Sequence, residues 1–304
     1  MNHGLWIMLV GSLAAAACAM VGCFLVLRKQ AMMGDAISHS VLPGIVLAFL
    51  ISGSRSPLPM LIGAGSLGLL TAFLTGALER HGRLQPDASI GVTFTWLFAV
   101  GVIMVSAFAG QVDLDTDCVL YGEIAASPWD IWLIGDTSLG PRAVWILGAI
   151  TVLNLAFIGL GYKQLKLTSF DPGLAAAVGI NVQLWHYLLM GFVSLTTVGA
   201  FESVGAILVV AMLIVPPNTA YLLTDRLSRM IMLSVVFGVL SAIGGYWLAA
   251  QLDGSIAGAI AVVSGAFFVA AMLFSPTHGV IAGYISSRNT YTTFPEEPEA
   301  QPRA

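Results

Sequence analysis

The strongest constraint in this sequence is a recurrence. Apolar stretches about as long as a membrane-crossing helix return from one end of the chain to the other. Such a helix needs roughly 20 mostly apolar residues, and it satisfies its own backbone groups where lipid offers no partners. Nine stretches qualify, at about 5–27, 34–52, 58–78, 88–109, 143–162, 183–200, 203–222, 229–250 and 255–274. Residues 183–222 form one run by hydropathy, but it is too long for one crossing, and "GAFESVG" (199–205) divides it. Composition agrees, with 58% hydrophobic and 9% charged residues against about 25% charged in soluble domains. The expected fold is an all-α polytopic membrane protein of about nine transmembrane helices, with no large soluble domain. A net charge of −4 gives no reason to expect a nucleic-acid partner.

The opening "MNHGLWIMLVGSLAAAACAMVGCFLVLRK" differs from a signal peptide. Its apolar core is too long, its positive charge follows that core, and further spans come after it. It reads as the first span. Positive charge then orients the bundle. With the N-terminus outside, Arg28, Lys29, Arg80, Arg83, Lys163, Lys166, Arg226, Arg229, Arg288 and Arg303 fall inside, and only Arg55 and Arg142 fall outside. The C-terminus is therefore expected inside. Residues 1–285 form the transmembrane unit, and the polar, Pro- and Glu-rich tail 286–304 reads as disordered cytoplasmic chain.

Two loops stand out. The outward loop, about 110–142, is acidic, with Asp113, Asp115, Asp117, Glu123, Asp130 and Asp136. Its aromatic middle, "YGEIAASPWDIWLIGD", suits a segment partly inserted at the membrane surface or re-entrant. Between spans five and six, Asp171 and Pro172 start a short helix, Ala175, Ala176 and Ala177 give it a small face, and Gly179 stops it. This element, about 169–180, is suited to docking in a cleft of another protein. An ordinary connecting helix is the plainer alternative.

The chemistry concentrates in "RKQAMMGDAISHSVLPGIVLAFL" (28–50). An ionisable side chain in a span costs about 3 kcal/mol on insertion scales and usually faces the bundle interior. Asp35 and His39 stand at i and i+4, on one helix face, and Ser38 lies close to that face. A carboxylate with a neutral imidazole can ligate a divalent transition metal. The same pair can relay a proton, or it can be structural, as an Asp–His hydrogen bond or an Asp cap. Pro43 and Gly44 invite a kink just beyond. Glu202, at the break between spans six and seven, is a solvated turn residue or a cation contact at the outer mouth. Pro216 and Pro217 mark either a hinge or the transition into a loop. His3, His81, His186 and His278 read as interfacial residues without special role. Cys18, Cys23 and Cys118 lack the spacing of a zinc site or a disulfide framework. No Gly-Lys pair occurs, so the phosphate loop of a Walker A motif is absent from this sequence.

Three segments carry a family resemblance. "AMMGDAISHSVLPGIVLAFL" resembles the signature of the permease subunits of ABC importers for manganese, zinc and iron. "VGAILVVAMLIVPPNTAYLLTDR" resembles their second signature, with a double proline where relatives often have one. "VDLDTDCVLYGEIA" resembles the outer-loop segment of the manganese-type branch. The resemblance runs through most of residues 5–275. It implies a fold related to the vitamin B12 and siderophore permeases, and an ATP-driven importer in which manganese is favoured over zinc or iron. It implies three partners: a second permease subunit (a copy of this chain or a related one), a cytoplasmic ATPase dimer, and an extracytoplasmic metal-binding protein. It makes Asp35 and His39 part of the metal path, with Glu202 a further candidate. It makes "SFDPGLAAAVGIN", with Phe170, Asp171, Pro172, Ala175 and Gly179, the coupling helix that enters the ATPase. The metal is a transient passenger, no permanent cofactor is expected, and the location implied is the bacterial inner membrane. A proton-coupled secondary transporter, with Asp35 and His39 as a relay, is the alternative.

Overall fold

The computed structural model describes residues 3–53, 57–108, 124–134 and 137–275. Asp113, Asp115, Asp117, Cys118, Glu123, Asp136, Arg55, His278 and the tail 286–304 lie outside them. The helices are α1 (His3–Leu27), α2 (Met33–Ser40), α3 (Leu42–Ser52), α4 (Pro57–His81), α5 (Pro86–Phe108), α6 (Arg142–Phe170), α7 (Pro172–Ala177), α8 (Val182–Val204), α9 (Ala206–Leu223), α10 (Leu227–Leu252) and α11 (Ile256–Phe274). With α2 and α3 forming one broken crossing, nine segments among the described residues are long and apolar enough to span a membrane. Short connections make most successive spans antiparallel; across the long 109–141 connection, Gly140 just before α6 lies against Trp6 near the start of α1, so α6 begins at the same end as α1. The bundle thus has a first end, where α1 begins and α8 finishes, and a second end, where α1 finishes and α2 begins.

α1 is the central helix. It is buried over most of its length, and α11 over less than a quarter of its apolar window. Its middle is small: Ala14, Ala15, Ala17, Cys18, Ala19 and Gly22 are all buried. In lipid no hydrophobic drive presses helices together, so association depends on close packing and hydrogen bonds, and small residues permit that approach. α6, α8, α9 and α10 pack around this core. Asn154 of α6 adds a buried polar clasp, donating Nδ2 to the Ala17 carbonyl (3.2 Å) and to Thr196 Oγ1 of α8 (2.8 Å).

Pro216 and Pro217 fall inside α9. The reading of them as a transition into a loop is therefore wrong, and the hinge reading remains. A proline supplies no amide, so the Met212 and Leu213 carbonyls lose their helix donors. Gly22 of α1 lies directly against the Leu213 carbonyl, with no room for a Cβ. A glycine on one helix thus accommodates a backbone oxygen set free by proline on another.

Two expected features take specific forms. In the described part of the acidic loop, turns from Ile124 lead into an antiparallel pair, β1 (Ile131–Ile134) with β2 (Thr137–Pro141). The break in the second span falls at Val41, with Pro43 in the first turn of α3, slightly before the expected Pro43–Gly44 kink. Gly44 serves packing: its backbone crosses that of Gly63 in α4 so closely that neither position has space for a side chain.

Candidate functional site

α2 is a short helix whose first turn carries Asp35 and whose last turn carries His39. No side chain caps its N-terminus, so Asp35 is not the cap considered above. Its negative charge still suits the positive end of the helix dipole. The i,i+4 spacing does bring the two groups together, with Asp35 Oδ1 3.4 Å from His39 Nε2. That is long for a hydrogen bond, so the two side chains form a loose pair rather than a tight one. Asp35 is 33% and His39 34% exposed. Met32, two turns before His39 and three residues before Asp35, is also open at 53%. His39 is backed by two rings of α5, Phe94 (6.2 Å between centroids) and Phe98 (6.0 Å, edge-on). Ser38 turns away, donating its hydroxyl to the Gly34 carbonyl at 2.9 Å from a buried position. The arrangement is an acid and an imidazole on an otherwise closed helix, open on one side. Among the described residues no three His, Cys, Asp or Glu side chains cluster, so a single copy presents two such groups here.

Glu202 is not part of this cluster. It lies in the last turn of α8, at the first end, whereas Asp35 is at the second. There it lines a cavity of about 230 Å³ with Asp130, Arg142, Ser127 and Ser203.

The connection after α6 forms a compact, capped helical element. Asp171 caps α7 by accepting from the Leu174 amide at 2.9 Å, and Pro172 occupies the first helical turn. α7 ends as the sequence indicates: Gly179 adopts φ +88°, and the Gly179 and Ile180 amides bond back to Ala176 and Ala175, a Schellman closure. Asn181 then caps α8 through the Leu184 amide at 3.0 Å. Phe170 (56% exposed) projects from this element and Ala175 is buried beneath it.

Sequence reasoning missed what holds the element in place. Arg28, counted above only as a topological charge, donates Nε to Ser169 Oγ and Nη2 to Thr168 Oγ1, both at 3.0 Å. Its Nη1 lies 3.4 Å from His186 Nδ1, so His186 is not the featureless interfacial residue expected. Burial lowers the Arg28 pKa from 12.5 to about 10, which leaves it charged at neutral pH. Beside it a cavity of about 360 Å³ is lined by Lys29, Glu79, Arg80, Pro172 and His186, among others. The one available signal was that two cations follow α1 directly. The partners of Arg28 lie 140 to 158 residues away and leave no local pattern.

Residues 2–275 match the family described as the ABC 3 transport family. The chain belongs to that family. Relatives in it include the manganese transport system membrane protein MntD of Bacillus subtilis (strain 168), 50% identical over 95% of this chain and 98% of that protein. The zinc transport system membrane protein TroD of Treponema pallidum (strain Nichols) is 43% identical over 90% of this chain and 75% of that protein. Among solved structures, PsaBC from Streptococcus pneumoniae in complex with Fab superposes with a TM-score of 0.77 at 32% identity, covering 95% of this chain and 96% of that one. A more distant ABC transporter of metal-chelate type, in an inward-facing conformation, shares the fold at 16% identity, with a TM-score of 0.62 over 88% and 85% of the two chains. An ABC 3 family chain is a transport subunit, so the secondary-transporter alternative falls.

Proposed function

We propose that this chain is the membrane permease of an ATP-driven importer for a divalent transition metal, with manganese the preferred substrate and zinc and iron its competitors. The observation that carries the reading is the loosely paired, half-open Asp35 and His39 on α2 of an ABC 3 family chain. Relatives named for manganese and for zinc support it. The carboxylate suits manganese, and the imidazole suits zinc and iron equally well. A transport site must also release its ion, which favours few and mobile ligands over a closed cage.

In this reading the membrane is the bacterial plasma membrane, the N-terminus is outside, and α7 faces the cytoplasm. An extracytoplasmic metal-binding protein delivers the ion at the first end, where Glu202 and Asp130 offer carboxylates and raise the local cation concentration. Two permease subunits, identical or related, bring two Asp–His pairs to one pathway and complete a ligand set that one copy lacks. The bends at Val41–Pro43 and at Pro216–Pro217 are where the bundle yields between outward and inward forms. A cytoplasmic ATPase dimer drives the change by moving α7 through Phe170 and the exposed small face at Ala176 and Ala177; Ala175, expected on that face, packs inward instead.

The substrate is tested by competition in proteoliposomes holding the assembled complex. Zinc and iron should reduce manganese uptake only at higher concentration than unlabelled manganese does. Equal or stronger competition by zinc would replace manganese as the principal substrate. The docking role of α7 is tested by Gly179→Glu. At φ +88° a side chain is strained, and a new carboxylate on this exposed turn alters the contact. The ATPase should co-purify at less than about a tenth of its normal yield, a loss of roughly 1.4 kcal/mol or more. Unchanged yield would move the docking site elsewhere.

A further inference from the structure

Arg28 ties the candidate metal helix to both feet of the docking element. On one side it is continuous with α2. The α1 terminus closes in a Schellman turn, with the Lys29 amide on the Val26 carbonyl and the Gln30 amide on the Leu25 carbonyl. Lys29 takes φ +57° to make this possible. The Met33 amide then bonds to the Gln30 carbonyl at 3.0 Å, and the Ala36 amide to the Met32 carbonyl. Little slack therefore separates Arg28 from Asp35, seven residues on. On the other side the guanidinium fork spans two helices. Thr168 and Ser169 stand in the last turn of α6, just before the Asp171 cap, and His186 stands in the second turn of α8, just after the Asn181 cap. One side chain thus holds the entry to α7 through two hydrogen bonds of ordinary length and reaches its exit through the longer contact to His186. Among the described residues its hydrogen-bond partners are these three, none of them a carboxylate. A half-buried cation whose hydrogen bonds go to neutral groups, with Glu79 only across the shared cavity, is a costly way to gain stability alone.

We infer that Arg28 is a coupling residue: it transmits displacement of α7 to α2, and so to Asp35 and His39, without itself touching the metal. The inference rests on the reading of α7 as the docking element. Arginine suits the task because its planar fork addresses several acceptors in fixed directions, whereas a lysine addresses them as a mobile point charge. Push on α7, transferred through both feet, then moves the turn that begins α2.

The test is the ratio of manganese transported to ATP hydrolysed in proteoliposomes containing the full complex. Arg28→Lys should keep the charge and the ATPase association while lowering that ratio about tenfold, within the range usual for coupling between sites. Thr168→Val with Ser169→Ala removes the grip from the other side, and should lower the ratio similarly. Combining both changes should add little to either, since they break one connection. A normal ratio in both variants would overturn the inference, as would a proportional fall of ATPase activity and uptake, which marks a merely structural role. If Arg28→Lys does not assemble, the Thr168/Ser169 variant decides by the same two criteria. Failure of the docking reading itself is separate, since it appears as normal ATPase association in Gly179→Glu.

Discussion

Asp35→Asn and His39→Ala should each lower metal uptake by about a hundredfold or more, because even groups that only orient metal ligands are worth about 10–100-fold in affinity. Asparagine keeps the shape of Asp35 and its place in the first turn of α2 but removes the negative charge. Alanine at position 39 removes the imidazole, and in a helix alanine is the best tolerated residue. Neither change touches the buried side of α2, where Met33, Ala36 and Ile37 pack, so assembly with the ATPase should persist. Initial uptake rates at saturating ATP, with the yield of assembled complex as control, check both. Full uptake by both variants would remove the pair from the metal path.

Gly22→Val should abolish most of the folded protein. The position faces the Leu213 carbonyl freed by Pro217, with the Pro217 ring 3.0 Å from where a Cβ would stand. The obstacle is backbone on a buried helix pair, which cannot rotate away as a side chain can. Overpacking usually costs about 1–3 kcal/mol, and a rigid opposing carbonyl places this site at or beyond the upper end. Gly22→Ala should show the same effect more weakly. Thermal stability of the detergent-solubilised protein checks the pair. An unchanged melting temperature for Gly22→Val would mean that α1 and α9 do not meet as described.

These two sites also mark what could be read from the sequence. Asp35 and His39 were legible because an i,i+4 pair is a local fact of helix geometry. So were the cores of the nine crossings, the divide within 199–205 that falls at Gly205, and the helix start at Asp171 and stop at Gly179, each of which needs only a few neighbouring residues. The contact of Gly22 with Leu213 was not legible, because it joins helices nearly 200 residues apart and depends on how they cross. The ends of spans were misjudged where charge begins before the helix stops. Hydropathy placed the end of the fifth near residue 162, but α6 continues through Lys163 and Lys166 to the cap at Asp171. Long cationic stems can cover apolar surface while the charge reaches water, so the helix need not end there. The hairpin at 131–141 escaped because strands of four and five residues show no usable periodicity. Glu202 was placed correctly at a break between helices, yet hydropathy does not reveal that Asp130 and Arg142 share its cavity.

The most direct measurement is radiolabelled manganese uptake into inverted vesicles or proteoliposomes holding the permease, its ATPase and its binding protein, with the energy source varied. Accumulation that requires ATP, and that continues when the proton gradient is collapsed, is the expected result. Accumulation that continues without ATP while a proton gradient is held, in a chain that never co-purifies with an ATPase, would contradict an ATP-driven metal importer.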